Sequence, residues 1–506
     1  MRTLLSFDLG TSGVKACLYS TDGRLISARY GRYPTFYGEG DRREQIPTDW
    51  WDQIIKTVRS MKTDDGLNDI AAIGVSGHSL TAIPINREGK LLCERVPIWS
   101  DGRALHQADR FFEQIDYRKW YLETGCGFPR HLYTVFKIMW LKDHLPKVYE
   151  DTWKILGSKD YVNYLLTGTA ATDRSYASGS GVYILADGSY SSDYIDAAGI
   201  DRDKLPDVFE SCRVIGALSR SAASAMGISE GIPVAAGGVD NACMSLGANC
   251  KKNGDGYASL GTSAWITVSS DTPSLDFESR IYSFAHVVPG QYIPSVGIFA
   301  SGAALEWARS RLFADGGGDD AYDRLSEMVT RSAVGSRGLM FVPNLAGGSS
   351  FDPSPDVRGA FVNMDMRQDE NDVVRAVYEG IAMHLRFAYS FLEKSTKLGD
   401  RLLLVGGGAK SSVWRQIYAE VFGVKTVKTA VAQDAASLGA AALAAVGTGE
   451  WESFDALDRV HTDEVINEPD PANVIKYGKL MEKYKKICVL TGAVADVFSK
   501  GGMIKR

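Results

Sequence analysis

A four-residue turn, Leu-Gly-Thr-Ser, occurs twice and constrains the fold more than any other feature of the sequence. The first copy, residues 9–12, lies between two strand-like apolar runs, and so does the second copy, residues 260–263. Both copies therefore predict β-hairpins. The chain has 506 residues, which is more than one hydrophobic core usually serves. Two hairpins about half a chain apart indicate a duplicated domain.

The composition of these turns is typical of phosphate binding. Glycine lets backbone N–H groups approach a ligand closely, and the neighbouring hydroxyls add further donors. A single copy is more often an ordinary tight hairpin, since short motifs match by chance. The pair favours two phosphate-binding hairpins that face each other across one cleft.

The overall composition excludes some functional classes. Apolar residues make up 45% of the chain and charged residues 23%, as in ordinary globular proteins. The net charge of −6 argues against a nucleic-acid partner, which needs a concentrated basic face. The first apolar run is interrupted by Ser6 and Asp8, so no signal peptide is predicted. Residues 435–446 are too short and too weakly hydrophobic to cross a membrane. We therefore expect a cytoplasmic enzyme without a membrane partner, whose seven scattered cysteines are reduced.

Asp240 is the strongest candidate for a catalytic group. Residues 232–241 predict a strand, a glycine turn and a helix that begins near this carboxylate. One interpretation is a helix N-cap, a role that aspartate often has. The other is a general base, since phosphoryl transfer to a sugar hydroxyl requires that its proton be accepted. Asp240 precedes the second hairpin closely, which favours a position near the cleft.

Two further segments indicate a sugar site. Trp99, Asp101 and Arg103 combine an aromatic plate with hydrogen-bonding charges, as proteins that bind polyhydroxylated ligands commonly do. The alternative is a structural ion pair between Asp101 and Arg103. His78 follows the predicted strand 70–75, where residues often line a ligand crevice, although a surface loop histidine is equally compatible with the sequence.

The second half of the chain contains a candidate nucleotide platform. Residues 402–405 predict a buried strand, residues 406–408 are three consecutive glycines, and a helix follows. A helix N-terminus after a glycine turn can hold the base and sugar of a nucleotide. The segment is neither a Walker A loop nor a Gly-x-Gly-x-x-Gly fingerprint, so alone it is a weak signal.

Several local structures are also predicted. Thr48 or Asp49 should cap the first helix, and Asn371 or Asp372 a long helix in the second half. Residues 172–179 are expected to form a polar loop near a ligand. Residues 434–441 predict a helix of small residues in close packing, and the apolar spacing from residue 477 to 484 predicts a capping helix near the C-terminus.

With both hairpins, the Gly-Gly-Val-Asp-Asn turn at 237–241 and the triple-glycine turn in this order, the chain resembles the FGGY carbohydrate kinases from about residue 3 to about residue 450. Residues 137–140 look like that family's Lys-x-x-Trp signature, and residues 438–441 like its C-terminal one. The resemblance implies an α/β fold of two actin-like, ribonuclease-H-like domains around a central nucleotide cleft that binds ATP and Mg²⁺. Residues 1–249 would form the sugar-binding domain and residues 250–506 the nucleotide-binding domain with its capping helix.

The resemblance also implies roles for individual residues. Asp240 would be the general base and Asp8 would hold the metal ion directly or through water. The residues that would hold phosphates are Gly10, Thr11, Ser12, Lys15, Gly261, Thr262 and Ser263. Those that would lie around the nucleotide are Gly302, Gly407, Gly408, Ala409 and Ser412. Those that would face the sugar are His78, Ser79, Trp99, Asp101, Arg103, Asp240 and Asn241.

The substrate follows less directly from the resemblance. Residues 99–103, 159–161 and 172–179 look most like xylulokinases, which implies ATP-dependent phosphorylation of a terminal hydroxyl of a ketopentose such as xylulose. Xylulokinases carry Met-His-Gly where this chain has Ser-Leu-Thr at 79–81, and His78 is a candidate replacement for the missing histidine. Glycerol is disfavoured, because glycerol kinases would have Arg-Glu at 79–80.

Other functions stay open at this point. The acceptor could instead be another ketose, a tetritol or a sugar acid. An actin-like, sugar-independent ATPase explains the hairpins equally well, but it leaves the cluster at residues 99–103 unused. A sugar-binding regulator without catalysis is a third alternative. The expected partner is a small-molecule sugar, and a homodimer is compatible with the sequence.

Overall fold

The structure is a computed structural model, which describes residues 2–39, 41–64, 66–312, 320–429, 431, 433–461 and 463–500. Two seven-stranded sheets form its framework. The strands of the first sheet are β1 (Thr3–Leu9), β2 (Gly13–Ser20), β3 (Leu25–Arg32), β4 (Ile70–Gly77), β5 (Val214–Ala217), β6 (Pro233–Ala235) and β7 (Gly238–Val239). Those of the second are β8 (Gly256–Leu260), β9 (Ala264–Val268), β10 (Tyr282–Ala285), β11 (Tyr292–Ile298), β12 (Arg401–Val405), β13 (Lys425–Thr429) and β14 (Asp463–Asn467).

The two sheets repeat one plan. The first has the order β5-β6-β4-β1-β2-β3, with β7 paired to β4, and the second has the order β10-β11-β9-β8-β12-β13-β14. In each sheet an antiparallel hairpin, β1–β2 or β8–β9, is extended on one side by further antiparallel pairing and on the other by parallel strands. An antiparallel edge strand, β5 or β14, ends the parallel side. Both predicted Gly-Thr-Ser hairpins and the duplicated α/β plan are therefore confirmed.

Helices pack on these sheets. They are α1 (Pro47–Arg59), α2 (Leu105–Phe112), α3 (Tyr117–Thr124), α4 (Thr134–His144), α5 (Pro146–Asp151), α6 (Ser158–Thr167), α7 (Arg174–Ala177), α8 (Ser192–Ala198), α9 (Arg220–Met226), α10 (Asp240–Gly247), α11 (Gly302–Leu312), α12 (Ala321–Arg331), α13 (Glu370–Leu392), α14 (Ser412–Phe422), α15 (Ala435–Thr448), α16 (Leu457–Val460) and α17 (Pro471–Lys500). Short strands complete the layers: Phe36–Gly38, Arg42–Gln45, Ile83–Ile85, Val96–Pro97, Lys154–Leu156, Ala171–Asp173, Tyr183–Ile184, Ser189–Tyr190, Asp207–Phe209, Met340–Val342 and Ala360–Val362.

The small-residue helix α15 packs closely against α10 and against β1 and β4 of the first sheet. A Cβ atom at Gly439 would lie 1.9 Å from the carbonyl oxygen of Cys243, and one at Gly247 would lie 1.7 Å from that of Ala435. The two helix backbones can approach this closely only because these positions have no side chain. The predicted close packing of this helix is confirmed.

Three local predictions are wrong. Helix α1 begins at Pro47 after Ile46, without a side-chain cap from Thr48 or Asp49, because proline at the first position needs no N–H partner. The long helix α13 is capped by Asp369, and Asp372 closes a capping box with it. Residues 172–179, predicted as a polar loop near a ligand, instead end a strand and form α7 and the turn after it, and all of them except Arg174 are buried.

Other predictions agree with the structure. Tyr477, Met481 and Tyr484 of α17 are buried against the second half, as expected for a capping helix. All seven cysteines are free thiols. In the described part of the chain, no helix is long and apolar enough to cross a membrane.

Candidate active site

Three parallel strands of the first sheet end side by side and bring two carboxylates to one edge. In the strand register, Asp8 of β1 pairs with Ser76 of β4, and Ser76 pairs with Gly238 of β7. Helix α10 begins with Asp240 directly after β7. The carboxyl ends of parallel strands are the usual ligand-binding edge of such sheets. Ser76 Oγ donates a hydrogen bond of 2.9 Å to Asp8 Oδ1, which orients the first carboxylate.

Asp240 is not a helix cap. The N-cap position of α10 belongs to Val239, and the Asp240 carboxylate accepts from the N–H of Asn241 at 2.7 Å. Burial raises the pKa of Asp240 to about 7, and the charge of Asp8 adds to this effect. Burial also raises the pKa of Asp8, although the Ser76 hydrogen bond and Lys15 oppose the shift. A carboxylate that titrates near neutrality is well suited to accept a proton.

A buried polar network holds the glycine turn that presents Asp240. Ser175 Oγ accepts from the N–H of Val239 at 3.0 Å and donates to Asp173 Oδ2 at 2.5 Å. Lys159 Nζ lies 3.0 Å from Asp173 Oδ1 and donates to the carbonyl of Ala236 at 3.2 Å. The network therefore fixes the backbone on both sides of the turn. No local pattern in the sequence predicts a chemical role for Lys159, Asp173 or Ser175.

Side chains outside the motif hold the first hairpin. Gln45 Nε2 donates to the carbonyl of Thr11 at 2.6 Å, and Tyr33 OH donates to that of Gly10 at 2.6 Å. Trp99 Nε1 donates to Thr11 Oγ1 at 3.1 Å. The candidate sugar plate thus contacts the candidate phosphate hairpin directly, while Ser12 at the tip is exposed. Gln45 and Tyr33 carry no local signal that would have identified them.

Lys15 is already held by a carboxylate. It lies opposite Asp8 on β2, and its Nζ donates to Asp434 Oδ1 and to the carbonyl of Gln433, both at 2.9 Å. Burial opposes its charge, but the hydrogen bond and charge of Asp434 outweigh that cost and leave the pKa of Lys15 raised. Lys15 therefore ties the first hairpin to the start of α15, and its contact with a phosphate stays a prediction.

The second hairpin, the start of α11 and the triple-glycine turn converge in the second half. The N–H of Gly302 donates to the carbonyl of Gly261 at 2.9 Å, and that of Ala303 to Thr262 at 3.0 Å. A Cβ atom at Gly406, where φ is +86°, would lie 2.9 Å from the carbonyl oxygen of Leu260. Around this meeting point, Thr262, Gly407 and Ser412 are exposed, Gly261, Ser263, Gly302 and Gly408 are half-buried, and Ala409 is buried.

Lys137 joins the two loops that carry the sugar candidates. Its Nζ donates to the carbonyls of Leu80 and Ile98, each at 2.7 Å. Burial lowers the pKa of Lys137 to about 7. The charge of Asp101 opposes this shift and that of Arg103 adds to it. Leu80 has φ of +61°, an uncommon conformation for a residue with a side chain, and the Lys137 contact anchors its carbonyl. In the sequence, the only signal for this role of Lys137 is a lysine on the apolar face of a predicted helix.

His78 is buried rather than exposed in a surface loop. Its ring packs edge-on against Trp50, with centroids 5.4 Å apart. Neither ring nitrogen has a hydrogen-bond partner within the described residues, and burial lowers the pKa of His78 to about 4. Ser79 beside it is half-buried. The ring is therefore neutral near pH 7, and a direct contact between His78 and a sugar stays a prediction.

Asp101 and Arg103 form the ion pair that the sequence left open as an alternative. Arg103 Nη2 lies 2.7 Å from Asp101 Oδ2 and 2.6 Å from Glu44 Oε1, and Asp101 Oδ2 also accepts from the N–H of Arg43. Asp101 is fully buried. The ion pair supports the loop that carries Trp99. A direct contact of Asp101 or Arg103 with a sugar stays a prediction.

Asp240 lies between the two halves of the molecule. The next residue, Asn241, accepts at its carbonyl from Tyr257 OH of β8 at 3.1 Å. Burial raises the pKa of Tyr282 in β10, Ser295 lowers it, and the charge of Asp240 raises it further. Asn241 Oδ1 is buried without a partner among the described residues, as is common for a group that awaits a ligand.

The donor set is compatible with Mg²⁺. Among the residues that the structure describes, no three or more His, Cys, Asp or Glu side chains form a metal-binding cluster. Mg²⁺ does not require one, because it typically takes one or two carboxylates together with waters and substrate phosphates. Asp8, a half-buried carboxylate whose pKa is raised by burial, can supply one such ligand, and its contact with the metal stays a prediction.

Comparison with known proteins identifies the whole framework. Residues 3–247 match the N-terminal domain of the FGGY family of carbohydrate kinases, and residues 256–448 match its C-terminal domain. The chain is 30% identical to the xylulose kinase of Lactococcus lactis over 98% of both chains. It is 28% identical to the gluconokinase of Bacillus subtilis over 94% of both.

Solved structures give the same result. The ligand-bound xylulose kinase from Lactobacillus acidophilus superposes with a TM-score of 0.90 at 25% identity, covering 98% of this chain and 100% of that one. Gluconate kinase from the same organism also gives 0.90 at 25% identity, covering 98% and 99%. The prediction of an α/β fold with two actin-like domains is confirmed.

Proposed function

The chain belongs to the FGGY family of carbohydrate kinases, whose members use ATP, and from this membership we propose that it phosphorylates a terminal hydroxyl of a ketopentose, with xylulose as the first candidate. One observation carries the proposal. Asp240 is a half-buried carboxylate whose pKa is raised to about 7 by loss of water around it and by the charge of Asp8, and it lies between the two halves. Such a group can accept the proton of a hydroxyl that attacks phosphorus.

The residues of the chain have distinct parts in this mechanism. Trp99 stacks against the carbon skeleton of the sugar, and Asp240 accepts the proton of the attacking hydroxyl. The two Gly-Thr-Ser hairpins hold the phosphates through backbone N–H groups and hydroxyls. Asp8 would hold Mg²⁺, which would neutralise charge on the phosphates when bound. Closure of the halves would exclude water, so that transfer exceeds hydrolysis.

The acceptor is xylulose or a sugar acid. Similarity to several proteins named xylulose kinase supports the ketopentose. The gluconokinase relative and the gluconate kinase structure favour a sugar acid as the second candidate. The chain also lacks the Met-His-Gly loop of xylulokinases at 79–81, which keeps the second candidate open.

An ATP-coupled screen over ketoses, polyols and aldonic acids tests the proposal. We expect xylulose to give the highest kcat/KM and to accelerate ADP release well above the rate without sugar. A higher kcat/KM with gluconate would replace the first candidate by the second. If no sugar accelerated ADP release, the result would contradict the proposed sugar phosphorylation and favour a sugar-independent ATPase.

The pH dependence of catalysis should report the ionisation of Asp240. Only the carboxylate form accepts a proton, and burial holds the pKa of Asp240 near 7 before the cation binds. We expect kcat/KM to fall about tenfold for each pH unit below this value, while the fold stays intact. Steady-state kinetics from pH 5 to 9, with circular dichroism at each pH, measures this. If kcat/KM stayed constant between pH 7 and pH 5, no group with a raised pKa would act as the base.

Substitution of Trp99 should separate stacking from positioning. Trp99→Ala removes the plate and the hydrogen bond to Thr11 Oγ1, and we expect the KM for the sugar to rise about tenfold or more. Trp99→Phe keeps an aromatic face and loses only the hydrogen bond, so its effect should be smaller. The KM for ATP should change little in either variant. An equal effect of both variants on the sugar KM would exclude stacking as the main contribution.

A further inference from the structure

A cavity of about 340 Å³ lies behind the sugar loops, outside the cleft between the halves. It is enclosed by helix α4, the strand Ile83–Ile85 and the sheet formed by Phe36–Gly38, Arg42–Gln45 and Val96–Pro97. Neither hairpin, nor Asp8, nor Asp240 belongs to its lining. The proposed phosphoryl transfer makes no use of it.

The cavity has an excess of positive charge. Three arginines line it, Arg42, Arg95 and Arg103, against a single carboxylate, Glu44, which is bound to Arg103. Arg42 and Arg95 are exposed, and neither forms a salt bridge with a carboxylate in the part of the chain that the structure describes. Arginine is the side chain best matched to phosphate, because its planar guanidinium donates two parallel hydrogen bonds.

One wall of the cavity also suits a small carbon skeleton. The Trp140 indole is already covered by the His144 ring, with centroids 4.5 Å apart, and by the guanidiniums of Arg103 at 4.8 Å and Arg42 at 5.4 Å. The remaining lining is largely apolar and includes Ala82, Val96 and Leu145. An inorganic ion would leave this wall without contacts, whereas the carbon chain of an ester would cover it.

We propose that this cavity is a second binding site, for a small phosphate monoester whose phosphate lies between Arg42 and Arg95 and whose carbon skeleton lies against the apolar part of the lining. Arg42 lies over the Trp140 ring and Arg95 over that of Phe36, and the two guanidiniums, without a carboxylate partner among the described residues, match the charge of a phosphate monoester near pH 7. The site is connected to the sugar loops through Lys137, which lines the cavity and donates to the carbonyls of Leu80 and Ile98. Occupancy is therefore expected to change the affinity of the kinase for its sugar.

Calorimetric titration of the full chain with glucose 6-phosphate, without ATP or metal, tests the binding. We expect saturable binding to one site, and Arg42→Gln and Arg95→Gln should each weaken it about tenfold or more. Arg87→Gln is the matched control, because it removes the same charge from the loop after Ile83–Ile85, outside the cavity. Glucose should not bind there, and inorganic phosphate should bind more weakly than the ester.

Several outcomes would overturn the proposal. Binding that both cavity variants leave unchanged would place the ester in the catalytic cleft. If inorganic phosphate bound as tightly as the ester, the cavity would not be a site for a monoester. If malate bound as tightly as the ester, phosphate would not be the group that the cavity recognises. If calorimetry showed no binding of glucose 6-phosphate, the cavity would not be a binding site for the ester.

The coupling to catalysis is measured separately and rests on the proposed function. Glucose 6-phosphate should change the KM for the preferred sugar in the parent enzyme and in Arg87→Gln, but not in Arg42→Gln. Arg42→Gln should keep the turnover of the parent enzyme without the ester. Because calorimetry requires no activity, failure of the kinase assignment and failure of the second site give different results. An unchanged KM despite binding would overturn the connection through Lys137.

Discussion

Asp240→Asn is expected to lower kcat about 10²–10⁴-fold while ATP still binds. Asparagine keeps the size of the side chain and cannot accept the proton of the attacking hydroxyl. The carboxylate does not cap α10, because Val239 is the N-cap, and the amide oxygen of asparagine can still accept the hydrogen bond from the N–H of Asn241. Single-turnover phosphorylation of the sugar, together with ATP affinity from calorimetry, measures both parts.

The stability of this variant provides an internal check. The folded-state pKa of Asp240 is raised to about 7 from 3.8, so its protonated form stabilises the fold at low pH and that contribution is lost as pH rises through 7. Asp240→Asn should therefore unfold at a temperature equal to or above that of the parent at pH 8. Asp193→Asn, an exposed carboxylate in the first turn of α8, is the matched control and should leave kcat unchanged. A residual turnover above about a tenth of the parent would exclude Asp240 as the base.

The sequence predicted those features that are encoded locally. Each Gly-Thr-Ser hairpin is specified by two short strands and the turn between them, so both could be located without tertiary information. The strand, glycine turn and helix before and after Asp240 were predictable for the same reason. Their order along the chain then identified the family and the duplicated fold.

Contacts between distant segments could not be predicted in this way. Gln45 holds Thr11 across 34 residues, and Lys137 holds Leu80 across 57. Nothing in the local pattern of either residue indicates its partner. The buried segment at 172–179 was misinterpreted as a loop because its polar side chains satisfy one another in the interior, which composition alone does not reveal.

The helix caps show a similar limit at shorter range. Asn371, Asp372 and Asp369 are all acceptable caps by residue type, and the structure selects Asp369 because Asp372 can then return a hydrogen bond to its N–H. Helix boundaries depend on such reciprocal contacts, which a preference for residue types does not resolve.

Lys159→Met is expected to destabilise the fold by about 3–5 kcal/mol, the usual loss when one partner of a buried ion pair is removed. Lys159, Asp160 and Asp173 have almost no exposed surface, and the lysine lies between the two carboxylates. Burial opposes the charge of Lys159, but Asp160 and Asp173 outweigh this and raise its pKa. Methionine fills a similar volume but leaves two carboxylates without a counter-charge. Urea denaturation at pH 8 measures the loss.

The same variant should reveal how the network acts on catalysis. Burial already raises the pKa of Asp160 and the charge of Lys159 lowers it, so loss of Lys159 should raise this pKa further, and protonation at pH 5 should restore part of the stability that is lost at pH 8. Asp173→Asn added to Lys159→Met should restore stability as well, because it removes one of the unpaired charges. Lys425→Met, which breaks the exposed pair with Glu468, is the control and should leave the unfolding midpoint nearly unchanged. Lys159 also donates to the carbonyl of Ala236, just before the glycine turn that presents Asp240. In Lys159→Met that still folds, kcat should therefore fall while the KM for ATP stays unchanged.

A stable Lys159→Met variant with normal kcat would show that the turn is held without this ion pair.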